Sequence, residues 1–421
     1  MSQDPEHPPA APPIFDPAAF RLTDAQASLI ARTQRLAAEN FGPRAAQYDR
    51  EARFPTENYR DLRDAGLLAI CVPAAHGGLG ANYQTYSLAA AEIARHCGAT
   101  ALTWNMHVCS TLWSGPLADD LTMDDATRAD HDRRRAVHFA RIVRAGAIYA
   151  QPFSEGNAAA SGAAPFGTLA RPVEGGWRIT GRKVFASLSG NADYYGTLCT
   201  EPSADGSLSR RNTLYLAVPA NAQGVRVEGE WDPLGMRGTV SRNLILDDVF
   251  VPDDAALMPR GIYAQAAIRW PHMFLTLSPT YLGLAQAAFD FTVRYLRGEV
   301  PGAPSGKRRG SAVKQLVVAE MRIKLEQAKS LWFQAISEAH VDPSKDQVLR
   351  AYAAQHCVME TANDLARLAI RTCGGHAMLK SFPLERIYRD SRCGSLMLPW
   401  TAEICLERIG RGALYEDGET D

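Results

Sequence analysis

No stretch of this 421-residue chain approaches the ~18 consecutive apolar residues that span a bilayer, so no membrane-crossing helix is expected. The eight cysteines contain no CxxC pair, and their spacing therefore suggests neither a zinc site nor a disulfide framework. Charge of one sign is missing too: the formal net charge is -1, without the surplus of Lys and Arg that a nucleic-acid or membrane-surface binder turns toward phosphates. A Walker loop, HExxH, GxSxG and a Rossmann glycine fingerprint are all absent, which removes local support for those chemistries. The first 13 residues, MSQDPEHPPAAPP, lack the apolar core of a signal peptide and carry five prolines. A disordered leader over residues 1–20 of a soluble cytoplasmic protein is the expectation, with small or medium organic molecules as partners.

What remains is an ordinary globular composition, 46% hydrophobic and 22% charged, in a chain long enough for one large core or two to three smaller ones. Residues 21–145 read as helical. Thr23 with Gln26 three residues later forms a capping-box pattern, and Leu29, Ile30, Thr33, Leu36 and Ala37 follow on one face. A second helix is expected from Thr56 to about Gly66, and the alanine-rich segment from Asn82 to Trp113 reads as two helices broken near Gly98. Residues 146–256 change character. TGRKVFASLSG, NTLYLAVP and NLILDDVFVP are short β-branched and aromatic runs between turn residues, a compact β domain with its last strand ending near Pro252. Helices return over 257–421, with a stop at Gly298, a loop through VPGAPSGKRRGS, and a continuous apolar stripe from Val313 and Leu316 to Ile336. A further helix runs to Cys373 and is closed by Gly374 and Gly375. The expected fold class is α+β: helical domain, central β domain, helical bundle.

Individual features are weaker. GGLG at 77–80 lacks a strand-turn-helix context and reads as an ordinary turn. His107, His272 and His376 are proton-transfer candidates by residue type alone. KRRG at 307–310 reads as a solvated basic loop, with a diphosphate partner as the alternative. The Gly374-Gly375 pair reads as a helix cap that also permits close backbone approach to a ligand.

Five segments in order resemble the acyl-CoA dehydrogenase superfamily from about Leu22 to Leu414: LRDAGLLAICVPAAHGGLG, YAQPFSEGNAAAS, GWRITGRKVFASLSG, WDPLGMRGTVSRNLILDDVFVP and CGGHAMLKSFPLERIYRDSR. The resemblance implies that family's fold, an FAD (alternatively FMN) between the β domain and the C-terminal bundle, and a homotetramer or homodimer. It implies that Phe153 and Ser154 line the flavin ring, that Phe185 lies against it and that Ser187 donates a hydrogen bond near flavin N5. Gly374 and Gly375 would pass the adenine-diphosphate arm, Thr401 would contact its phosphates, and Arg297, Arg308 or Arg309 would replace a family arginine that reaches a neighbouring subunit's flavin. Such groups tune and place a flavin, while the flavin itself carries the redox step.

The family's dehydrogenases remove an α-proton with a glutamate, yet SRCGSLMLPWTA, from Ser391 to Ala402, contains no carboxylate. The glutamate position falls on Leu398 or Pro399, and the family's second location for the base falls on Met273. The leading expectation is oxidation of a CH–CH bond in an acyl thioester by a base not assigned, with electron-transfer flavoprotein as partner. The alternative is a two-component flavin monooxygenase supplied by a flavin reductase, in which His107 and Ser187 assist. A third reading is a non-catalytic subunit that binds flavin or acyl thioester.

Overall fold

The computed structural model describes residues 12–156, 159, 164–304, 308–416 and 418–419. The N-terminal layer comprises α1 (Asp24–Leu36), α2 (Gly42–Glu51), α3 (Thr56–Asp64), α4 (Tyr83–His96), α5 (Gly98–Leu112) and α6 (Asp125–Ala145). The capping box is present at α1, where the Gln26 N–H donates to the Thr23 hydroxyl at 3.3 Å and the Thr23 N–H to the Gln26 side chain at 3.0 Å. Cys97 in extended conformation separates α4 from α5, so the break falls at the expected place. Gly77 and Gly78 form a turn, as expected: Gly77 is left-handed at φ +86°, and a Cβ on Gly78 would stand 2.1 Å from the Val72 carbonyl oxygen.

The sheet contains β1 (Tyr149–Ala150), β2 (Leu169–Val173), β3 (Gly176–Ala186), β4 (Tyr194–Thr200), β5 (Thr213–Pro219), β6 (Val225–Glu228), β7 (Arg242–Pro252) and β8 (Ala256–Met258). Strand order is β6-β7-β3-β2-β4-β5-β8, with β1 added parallel to β4. The sheet does not stop at Pro252: β8 continues it along β5, three residues being too few to show a period-2 pattern. The long β3–β7 pairing shifts register between Lys183 and Ala186, and this irregular end of β3 carries Phe185.

The C-terminal layer comprises α7 (Ile262–Arg269), a 3-10 segment (Pro271–Leu277), α8 (Ser278–Arg297), α9 (Ala312–Ser337), α10 (Lys345–Cys373), α11 (Leu384–Arg392) and α12 (Ala402–Leu414). Gly298 ends α8 in the left-handed conformation. The α9 stripe is buried only from Met321 onward, while Val313 and Leu316 are each 72% exposed. Periodicity marks a face but not what covers it. α4 packs on α8, and α8 on α10, so one apolar core joins both helical layers to the sheet.

The expected leader needs correction. Residues 1–11 lie outside the described residues, but Ile14 and Phe15 are buried, with the Phe15 ring 5.6 Å from those of Trp332 and Phe333. Two large apolar side chains outweigh the surrounding prolines and dock this segment on α9.

Candidate active site

A cavity of about 380 Å³ lies where the sheet meets both helical layers. Its walls come from the loop after β1, the end of β3, the loop from Trp231 to Ser241, the 3-10 segment before α8, and the stretch from Cys393 to Pro399. Leu102, Met106, Trp113, Phe153, Trp231 and Phe274 make it chiefly apolar, and Gln151, Ser154, Ser187, Thr239, Ser241 and Thr276 supply the polar edge. Among the described residues, no Asp, Glu, His, Lys or Arg lines it. Among the described residues, its one titratable wall residue is Cys393, whose thiol burial pushes up to about 12.

Glu155 follows the wall residue Ser154, but its carboxylate is committed elsewhere. It accepts from Lys183 Nζ, Thr168 Oγ1 and the Gly167 N–H, each at 2.6 Å. Burial by itself would raise its pKa; the charge and hydrogen bond of Lys183 and the bonds from Thr168 and Gly167 hold it below the usual carboxylate value. The Val184 N–H donates to the Ser154 carbonyl at 2.8 Å, which sets Phe153 and Ser154 beside Phe185 and Ser187. Phe185 is held at φ +52° with its side chain largely exposed, its ring 6.5 Å from that of Trp231. Backbone strain of this kind persists only where the surroundings impose it.

Ser187 Oγ lies 2.8 Å from Ser241 Oγ, and Ser241 Oγ lies 2.8 Å from Thr239 Oγ1. The Met236 N–H donates at 2.6 Å to Asp390, whose carboxyl burial pushes up to about 6. The Gln151 carbonyl oxygen accepts from the Tyr215 hydroxyl, and its amide nitrogen, buried at the cavity wall, has no partner among the described residues.

Of the residues singled out from sequence, Phe153, Ser154, Phe185, Ser187, Met273, Leu398 and Pro399 are brought together on this cavity. His107 is not, and its proton-transfer role is corrected here. Its Nε2 lies 2.9 Å from the Leu68 carbonyl, and its Nδ1 accepts the Tyr149 N–H at 3.0 Å. Both nitrogens are thus occupied by backbone, and burial lowers the ring's pKa to about 4. Arg297 is half-exposed and pairs with Glu299 at 2.6 Å. Gly374 ends α10 at φ +88°, and the places where Cβ atoms would stand at Gly374 and Gly375 meet no atom within 4 Å. Thr401 caps α12 by accepting the Ile404 N–H at 3.3 Å. The Arg308 guanidinium stands 5.8 Å from the Tyr295 ring, His376 stands against Phe382, and Lys307 lies outside the described residues. His272 is buried, with neither ring nitrogen partnered among the described residues. Sequence reasoning missed Gln151, Trp231, Thr239 and Ser241. The alternate hydroxyls in GTVS were the available signal for the last two.

An apolar slot edged by aromatic rings, hydroxyls and one unpartnered amide suits a planar heterocycle, and fold and site together define a flavin-dependent oxidoreductase. Family models described as the acyl-CoA dehydrogenase N-terminal, middle and C-terminal domains match residues 23–117, 150–249 and 271–414. The chain belongs to the acyl-CoA dehydrogenase superfamily. It is 29% identical to the human mitochondrial short-chain specific acyl-CoA dehydrogenase, over 88% of this chain and 86% of the relative. It is 30% identical to L-evernosamine nitrososynthase of a Micromonospora species, over 96% and 92%. Among solved structures, FMN-bound TdsC from a Paenibacillus species superposes with a TM-score of 0.78 at 21% identity, over 92% of this chain and 97% of that one, a likeness of fold.

Proposed function

We propose that the cavity holds a flavin ring against Phe153, Ser154, Phe185 and Ser187, with an uncharged and largely apolar substrate beside it. We further propose oxygenation with reduced flavin, a reaction that needs no side-chain base. One observation carries this: among the described residues, no carboxylate or imidazole lines the cavity. A dehydrogenation begun by α-proton abstraction needs such a group within hydrogen-bond reach.

When bound, the flavin supplies the redox chemistry, whether hydride acceptance or, once reduced, activation of oxygen. This chain's residues bind and exclude. Phe153, Phe185 and Trp231 would cover the ring, Ser154 and Ser187 would meet its polar edge, and the Gln151 amide could donate to an acceptor oxygen. Met273, Phe274, Leu398 and Pro399 keep water from the substrate side. FMN and FAD both remain within the proposal. Gly374 and Gly375 leave room for an adenine-diphosphate arm, and Thr401 and Arg297 are assigned to its phosphates, Arg297 in a neighbouring copy's site. Exposed Val313, Leu316 and Ile323 on α9 support assembly as a homodimer or homotetramer. The working division is 21–145, 146–256 and 257–421, and the proposed location is cytoplasmic. Among the described residues no helix is long and apolar enough to cross a membrane. A flavin reductase is the partner this chemistry calls for.

A second reading, CH–CH oxidation of an acyl thioester with electron-transfer flavoprotein as acceptor, is favoured by the identity to short-chain acyl-CoA dehydrogenases. Anaerobic mixing of the flavin-loaded protein with a panel of acyl-CoAs separates the two. The proposal expects no bleaching of the flavin by any thioester, with oxygen consumed only when reduced flavin is added. Bleaching by a thioester would establish the second reading instead.

A further inference from the structure

The direction of every hydroxyl in the chain Ser187–Ser241–Thr239 is fixed by its far end. The Met236 carbonyl accepts the Thr239 N–H at 3.0 Å and also lies 2.9 Å from Thr239 Oγ1. A carbonyl carries no proton, so the Thr239 hydroxyl donates to it. With that proton used, Ser241 must donate to Thr239 across their 2.8 Å contact. Ser241 then has none left, and Ser187 must donate to Ser241 across theirs. The single hydroxyl proton of Ser187 is thereby engaged by Ser241, and its lone pairs, which accept nothing within this chain of hydroxyls, are free to accept from a ligand. Thr239 and Ser241 are almost fully buried, so solvent offers them little opportunity to reverse the order.

We infer that Ser187 is a hydrogen-bond acceptor toward whatever occupies the cavity, that Ser241 and Thr239 are the positioning residues that make it so, and that the site selects dihydroflavin over oxidised flavin. This is the opposite of the donor role expected of Ser187 from the family resemblance. It rests on the proposed placement of the flavin with its N5 edge at Ser187. Dihydroflavin carries an N–H at N5, which an acceptor oxygen meets favourably. Oxidised flavin presents a bare nitrogen there, and two lone pairs face one another.

The test measures Kd for oxidised FMN and FAD by fluorescence, and for the dithionite-reduced forms by anaerobic titration, in the full chain and its variants. The wild type is expected to bind the reduced form more tightly. Thr239→Val releases the Ser241 and Ser187 protons, and the ratio of oxidised to reduced Kd should fall about fivefold, the worth of one ordinary hydrogen bond. Thr239→Ser keeps the hydroxyl and should keep the ratio. Ser241→Ala, which cuts the chain one step nearer Ser187, should lower the ratio as Thr239→Val does, and it serves if the valine variant does not fold. An unchanged ratio in the folded Thr239→Val or Ser241→Ala protein, with both flavin states still binding, would overturn the inference and leave the flavin site standing. Failure of the wild type to bind flavin in either state would overturn both.

Discussion

Lys183 Nζ lies 2.6 Å from Glu155 Oε1, with the lysine side chain fully buried and the glutamate 5% exposed. Lys183 also donates to the Leu198 carbonyl at 2.6 Å and stands 4.7 Å from the Phe166 ring, so β3, β4 and the cavity loop meet at one ammonium group. Lys183→Met leaves the buried glutamate with its bonds from Gly167 and Thr168 but without its counter-charge, and should destabilise the protein by about 3–5 kcal/mol. Adding Glu155→Leu should recover much of that loss. Urea denaturation of the single and double variants checks this, and strictly additive losses would contradict it.

Phe185 combines a left-handed backbone with an exposed ring, so it contributes little to folding and, on the present account, much to the flavin. Phe185→Ala should change stability by no more than about 0.5 kcal/mol. It should weaken flavin binding roughly tenfold through loss of aromatic contact. Phe185→Gly should raise stability by about 1 kcal/mol as the positive φ is relieved. Thermal melts and flavin titrations on the same preparations separate the two effects.

A Cβ at Gly235 would stand 2.3 Å from the Arg389 carbonyl oxygen and 2.5 Å from its carbon. Both are backbone atoms of α11 and have little freedom to retreat. Gly235→Ala should cost about 1–3 kcal/mol and push the loop from Trp231 to Ser241 away from the helix, weakening flavin binding with it. Gly374→Ala makes the contrast: no atom lies near its Cβ position, and strain at φ +88° is the only expected penalty.

The order of elements was legible because it rests on local signals. The capping box at Thr23, the break at Gly98 and the stop at Gly298 each act within one or two turns of chain. The cavity wall opposite Ser187 was not, because it depends on contacts between distant residues. Asp390 holds Met236 from 154 positions away, and Lys183 finds Glu155 across 28. His107 shows the same limit from the other side. Its residue type suggested proton transfer, while Leu68 and Tyr149, which occupy both of its nitrogens, are brought to it only by the fold. The missing carboxylate near Leu398 and Pro399 could be read from sequence, but that no other described segment supplies one could be seen only in the assembled cavity.

Four buried histidines and the partly buried His96 set the acid limit. Burial lowers His96, His107, His131 and His272 to about 4 and His138 to about 3, from an ordinary 6.5. Their contribution is present above 6.5 and is lost as pH falls toward 4, because the unfolded chain takes up protons that the fold refuses. Glu92 and Asp390 work in the opposite sense. Burial raises them to about 7 and about 6, so the stability they lend at low pH is lost as pH rises through those values. Five groups outweigh two, and stability should rise with pH between about 4.5 and 6.5. Urea midpoints across that range check it, and His272→Leu should flatten the slope. Midpoints that fall with rising pH would refute this balance.

The central claim is that no side chain in the cavity abstracts a proton, and α-proton exchange tests it without requiring turnover. Butyryl-CoA incubated with the flavin-loaded protein in D2O, followed by NMR, should lose its α-protons no faster than in buffer alone. Protein-accelerated exchange would show a working base at the thioester and would contradict the account.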